Sequence, residues 1–148
     1  MTTEISPRVA AAIDENFVFK TLDHETRQRL KEAGKLRAYA PGQVIIAEGD
    51  EAAELYLVVL GRAEVATELL PEGKIELAEL SPGALVGEVA VVTGTVRTST
   101  VKALDTVEVV ILPAQLIREI MDTHPKVHEL LLRIVHGRAM DTASKVVH

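Results

Sequence analysis

Glu88 and Arg97 are the two residues whose types and spacing suggest chemistry. They lie nine positions apart in the stretch Gly87-Glu88-Val89-Ala90-Val91-Val92-Thr93-Gly94-Thr95-Val96-Arg97-Thr98-Ser99-Thr100-Val101-Lys102-Ala103. In order, this is a glycine, an acid, a short apolar segment, a flexible loop at Gly94, and an arginine leading into a strand. The segment after Gly87 is long enough for one helical turn, and the free backbone N–H groups at its start form an anion site. Arg97 can return to the same place and hold a phosphate through two charge-assisted hydrogen bonds. Glu88 cannot bind that phosphate, but its carboxylate is a good acceptor for a sugar hydroxyl. One cation, one acid and a nest of amides thus match a ribose joined to a phosphate. An isolated Glu and Arg would read as a solvated surface ion pair that contributes little. The glycine, the spacing and the strand after the arginine separate this pair from that bland case.

The rest of the chain must position these groups, and it reads as helix, then many short strands, then helix. Ser6-Pro7 is an N-cap followed by proline at the first helical position, with Ile5, Val9 and Ile13 at helical spacing. Asp23 caps a second helix over His24 to Ala33, and Gly34 stops it as a helix-ending glycine. From Leu36 to Leu112 turn signals recur at Pro41-Gly42, Gly49-Asp50, Gly61, Glu72-Gly73, Pro82-Gly83 and Gly94. Between them lie β-rich runs at Val44 to Ala47, Leu55 to Leu60, Ala63 to Thr67, Ile75 to Leu80, Thr98 to Ala103 and Val107 to Leu112. Apolar residues partly alternate in them, as in Val44 and Ile46 or Leu55, Leu57 and Val59. Pro113 then opens a helix with the stripe Leu116, Ile117, Ile120 and Met121. Thr123-His124-Pro125 breaks it, and a last helix runs from Pro125 to about Val147. The expected fold is mainly β with flanking helices: an eight-stranded, jelly-roll-like β-roll (35–112) between N-terminal helices (1–34) and C-terminal lid or dimer helices (113–148). No linker divides it, so 1–148 is read as one domain.

Composition excludes several classes of function. The chain of 148 residues has no cysteine, which rules out a disulfide framework and cysteine-ligated zinc and fits a reducing compartment. No secretory signal or apolar run of about 18 residues is visible, so the expected location is the cytoplasm, away from membranes. Sixteen basic against twenty-two acidic residues leave a net charge of −6, unlike the basic stripe that nucleic-acid binding needs. Aromatics are only Phe17, Phe19, Tyr39 and Tyr56, too few for base-stacking platforms. His124 and His128 have a metal-compatible spacing, but no third ligand accompanies them, and His124-Pro125 reads as a helix start. A cupin-like metal enzyme would need histidines inside the strands. All five here (His24, His124, His128, His136 and His148) fall in helices or tails. No nucleophile–base pair is evident either, so the chain is not read as an enzyme.

At Gly87-Glu88-Val89-Ala90 and Arg97 the chain resembles the phosphate-binding cassette of the cyclic nucleotide-binding domain family. Asn16 to Leu22, Tyr39 to Asp50, Leu55 to Gly61 and Pro82-Gly83 also match that family's helix and β-roll segments, so the resemblance covers nearly the whole chain. It implies a receptor for cAMP or cGMP, with no other cofactor and no metal. By the resemblance Glu88 accepts the ribose 2′-OH and Arg97 pairs with the cyclic phosphate. The backbone of Gly87, Val89 and Ala90 lines the ribose phosphate, Thr98 adds an N–H and a hydroxyl, and Val86 and Ser99 flank the site. Val96 stands where proline is usual before the arginine, and Val86 where an aromatic is usual before the glycine; neither change removes a ligand group.

Resemblance also extends into the last helix, from His124-Pro125 through Thr142 to Lys145-Val146. It implies that this helix dimerises and closes over the base, with Thr142 meeting an adenine amino group. Thr98 is the competing feature, since its hydroxyl can reach a guanine amino group. Leu131, Leu132, Val135, Ala139, Thr142 and Val146 read as core or dimer-seam positions, and Gly137 as a weak point of the helix. Family regulators usually carry an output module. The expectation here is a free-standing sensor acting through a protein partner, or the sensor part of a longer protein. The rival reading is a degenerate β-roll that serves as an interaction module without ligand; the presence of both Glu88 and Arg97 argues against it.

Overall fold

The computed structural model describes the backbone of residues 5–67 and 75–146 and, within these, all side chains except those of 75 and 138–146. Helix α1 (Pro7–Glu15) begins at Ser6, whose hydroxyl accepts the Arg8 N–H at 3.3 Å. Asn16 ends it and shapes the next turn of chain. Its buried Oδ1 accepts from the N–H groups of Val18 and Phe19 at 2.9 and 3.1 Å, at the entry to a single 3-10 turn over Phe19–Thr21. Helix α2 (His24–Ala33) is capped by Asp23, which accepts the Thr26 N–H at 3.0 Å and its hydroxyl at 2.7 Å. Gly34 does stop α2, but not by a left-handed turn, because its φ is −70°. A Cβ there would press on Val110 and Val9 at 3.0 and 3.1 Å, so glycine is needed for close approach of helix to sheet.

The strands are β1 (Lys35–Tyr39), β2 (Val44–Ile46), β3 (Glu54–Leu60), β4 (Ala63–Thr67), β5 (Ile75–Leu80), β6 (Leu85–Val86), β7 (Thr100–Ala103) and β8 (Val107–Pro113). They form two antiparallel four-stranded sheets, ordered β1-β8-β3-β6 and β2-β7-β4-β5. This is the β-roll expected from the turn spacing. Strands β1 and β6 are the two that no apolar run announces, and both are edges of their sheet. Strand β1 is exposed from Lys35 to Ala38, and charged edge residues discourage pairing with another chain. Strand β6 has only two residues.

Two apolar cores meet at the first sheet. In β3, Leu55 and Leu57 face the helices, while Tyr56 and Val58 face the space between the sheets. Strand β8 divides the same way: Val110 and Leu112 on one side, Val107, Val109 and Ile111 on the other. A strand covered on both faces reads as a continuous apolar run, which is why alternation in β3 is only partial. Full burial of each such side chain contributes about 1.5–3 kcal/mol. The helical side is completed by α4 (Ala114–Thr123), with Ile117, Ile120 and Met121 inward, and by α5 (Pro125–Val146), with Val127 and Leu131 inward. Leu132 is exposed, and Leu116 is only partly buried. Helix α5 continues through Gly137 without a break in its helical backbone.

Candidate ligand-binding site

Between the sheets, at the end where β6 gives way to helix α3 (Glu88–Thr93), lies a cavity of about 340 Å³. Small-molecule sites usually measure about 300–1,000 Å³, so one small ligand fits. Its apolar wall is built by inward residues of several strands: Ile46, Val65, Leu77, Ala78 and Val101. Val135 of α5 closes one side. Val86, Gly87, Glu88, Val89, Ala90, Arg97, Thr98 and Ser99 all line the same space. These are eight of the nine site residues expected from sequence. Thr142 is the ninth; it belongs to α5, and its side chain lies outside the described residues.

Gly87 makes this convergence possible. Its φ of +85° is left-handed, so the chain turns sharply out of β6 into α3. A Cβ at Gly87 would collide with Arg97 Nη1 and come within 3.3 Å of Ile46. The turn and the empty space are both required. Glu88 is the first residue of α3, and its side chain is 0% exposed. The N–H groups of the first turn have no partner within a helix, and Glu88, Val89 and Ala90 bring that turn to the cavity wall. Helix α3 ends after six residues at Gly94, also left-handed at φ +72°, whose N–H closes on Ala90 O at 2.9 Å.

Arg97 comes from the irregular segment between Gly94 and β7, yet it is fixed at both backbone and side chain. Its N–H donates to Asp50 O at 2.8 Å, and its carbonyl accepts from Gly49 N–H at 2.9 Å. The guanidinium donates to Gly87 O at 3.0 Å and to Glu54 O at 2.5 Å, and lies 5.7 Å from the centre of the Tyr56 ring. Only 5% of the residue is exposed. Burial pulls its pKa below the ordinary arginine value, opposed by Tyr56, Glu54, Glu88 and Asp50. A guanidinium remains a cation at any working pH all the same. Burial also pushes the Tyr56 hydroxyl up, with the Glu54 charge adding to it. A fixed, desolvated cation beside helix N–H groups is suited to an anion, and a buried carboxylate nearby to a hydroxyl.

Several participants have no signature in sequence. Glu54 and Asp50 act through backbone carbonyls, which any residue supplies. Tyr56 is legible there only as one of four aromatics. The apolar wall belongs to the inward face of strands that also look like ordinary core. His124, raised by its spacing to His128, instead places Nε2 3.2 Å from Asp23 Oδ1, linking the α4–α5 junction to the cap of α2. Among the described residues no three metal-ligating side chains cluster. No described helix is long and apolar enough to cross a membrane.

Known proteins share both sequence and shape with this chain. It is 35% identical over 90 residues to the cAMP-dependent protein kinase regulatory subunit of Debaryomyces hansenii, covering 61% of this chain and 19% of that one. It is 33% identical over 97 residues to lysophospholipase nte1 of Neurospora crassa, covering 66% of this chain but 6% of that protein. The chain thus spans a small part of these relatives. Among solved structures, the regulatory domain of Toxoplasma gondii PKA with cAMP superposes with a TM-score of 0.78 at 20% identity, over 87% of this chain and 49% of that one. The N-terminal domain of a transcriptional regulator from Streptomyces coelicolor A3(2) gives 0.66 at 29% identity, over 88% and 94%. The cyclic nucleotide-binding domain family itself matches residues 36–124, a span that takes in both sheets, Gly87, Glu88 and Arg97. On that match, and on the two-sheet roll that carries it, the chain belongs to the cyclic nucleotide-binding domain family.

Proposed function

We propose that the cavity is a receptor site for cAMP, which it binds without transforming. The observation that carries this reading is the convergence of Arg97 and Glu88, both buried, on one cavity beside the first turn of α3. In this reading the guanidinium and the N–H groups of Val89 and Ala90 hold the cyclic phosphate. Glu88 accepts the ribose 2′-OH, Val86 and Gly87 shape the approach, and Thr98 and Ser99 edge the phosphate end. The base rests against the apolar wall with α5 as the cover, and Thr142 is the residue assigned to the adenine amino group. Signal leaves through α5 to a protein partner, an attached module or a second copy of the chain, in the cytoplasm.

One feature favours cAMP over cGMP: relatives carrying this domain include a regulatory subunit named for cAMP dependence. Thr98, exposed at the edge of the cavity, is the competing feature, since its hydroxyl can reach a guanine amino group. A competition titration against labelled cAMP tests the reading. Unlabelled cAMP should displace it at lower concentration than cGMP, and Thr98→Ala should leave that order unchanged. A clear cGMP preference, abolished by Thr98→Ala, would overturn the choice of base.

A further inference from the structure

Helix α3 is gripped by two arginines, one from each side. At its start, Arg97 Nη1 donates to Gly87 O at 3.0 Å. That carbonyl also accepts the Val91 N–H, at 3.4 Å, as the first bond of the helix. One turn on, Val91 O accepts from Arg118 Nε of α4 at 3.2 Å. A continuous column therefore runs from the cavity to α4: Arg97, the Gly87 carbonyl, the Val91 peptide, Arg118. The last carbonyls of a helix lack intrahelical partners, and a cation there is favoured by the helix dipole. Helix α3 has only six residues, so its own hydrogen bonds hold it weakly.

We infer that Arg118 is a positioning residue for the ligand site, acting through Val91 O to hold α3 in register with Arg97. The inference rests on the reading of the cavity as a nucleotide site and deepens it. Arg118 does not line the cavity, and its position on α4 is exposed, so it contacts no ligand. Its effect is to fix the N–H groups of Val89 and Ala90 relative to the Arg97 guanidinium. Helix α4 packs on α5, whose Val135 closes the cavity, so the same bond ties α3 to the cover. By linkage, if the Arg118 bond strengthens ligand binding, ligand strengthens that bond equally.

The test uses the full chain and cAMP, with Arg118→Met and Arg118→Lys beside wild type. Affinity and dissociation rate come from titration and stopped flow. Hydrogen exchange is followed over α3 and α4, with and without cAMP. Arg118→Met should weaken cAMP about threefold to tenfold, mainly through faster dissociation. It should also lose part of the ligand-induced protection in α4, and Arg118→Lys should restore some of both. A purely structural role would lower the unfolding midpoint while leaving affinity and ligand-induced protection unchanged, and that result overturns the inference. If instead wild type fails to bind cAMP at all, the reading of the cavity falls first.

Discussion

Arg97 Nη1 and the Gly87 carbonyl are 3.0 Å apart, and the space a Gly87 side chain would occupy is filled by that same guanidinium. The arginine is therefore seated by protein groups around a residue that has no side chain. Gly87→Ala should disturb two things at once: the left-handed backbone and the seat of the cation. Strain of this kind costs about 1–3 kcal/mol, and binding should weaken further because the guanidinium must move. Gly94→Ala is the comparison, since its φ is also positive but a Cβ there meets nothing within 4 Å. It should lose stability while keeping affinity. Denaturant unfolding and ligand titration on both variants check this; equal loss of affinity in the two would contradict the seating argument.

Glu88 is wholly buried at the start of α3. If it accepts the ribose 2′-OH, wild type should prefer cAMP to 2′-deoxy-cAMP by about tenfold, the scale of one hydrogen bond to a charged group. Glu88→Gln should reduce that preference, and Glu88→Ala should bind both nucleotides about equally. Competition titrations measure it. A preference that survives in Glu88→Ala would place the hydroxyl against another group.

Acid should loosen the helical side of the molecule. The Thr26 hydroxyl and N–H, then the His124 ring, hold the Asp23 carboxyl down at about 2. Lys31 holds Asp14 below its ordinary value, with Arg27 assisting. A carboxyl depressed in the folded state stabilises fully above its unfolded pKa of about 3.9, and that contribution is lost as pH falls through the folded value. The unfolding midpoint should therefore drop between about pH 4 and pH 2. Asp23→Asn keeps an acceptor for the cap but removes the titration, so its midpoint should fall less steeply over the same range. Parallel curves for the two proteins would show that Asp23 is not the group responsible.

Much of this architecture is legible in the sequence because local chemistry and global fold agree. Ser6-Pro7 and Asp23 cap helices through their own side chains, and Ala63 to Thr67 and Ile75 to Leu80 form strands over those limits. Edge strands β1 and β6 carry too little apolar pattern to announce themselves. Gly34 is legible as a stop but not for its cause, since close approach to Val110 depends on tertiary packing. Gly87 to Ala90 and Arg97 stand out because a cation, an acid and a glycine have distinct chemistry. Their partners Glu54 and Asp50 do not, because a backbone carbonyl has no residue type. Arg118 is invisible for a related reason: its partner is also a carbonyl, 27 positions away, brought near only by the packing of α4 against α3.

The central claim is that Arg97 holds the phosphate of a cyclic nucleotide, and calorimetric titration of cAMP into wild type and Arg97→Ala tests it most directly. Wild type should bind at micromolar concentration or tighter. A charged hydrogen bond contributes about 1.5–3 kcal/mol, so Arg97→Ala should weaken binding about tenfold to a hundredfold or more. Arg97→Lys should recover only part, because a point charge cannot replace the fork that also reaches Gly87 O and Glu54 O. Unfolding curves taken alongside establish that each variant is folded at the titration temperature. Folded Arg97→Ala that binds cAMP as tightly as wild type would contradict the account.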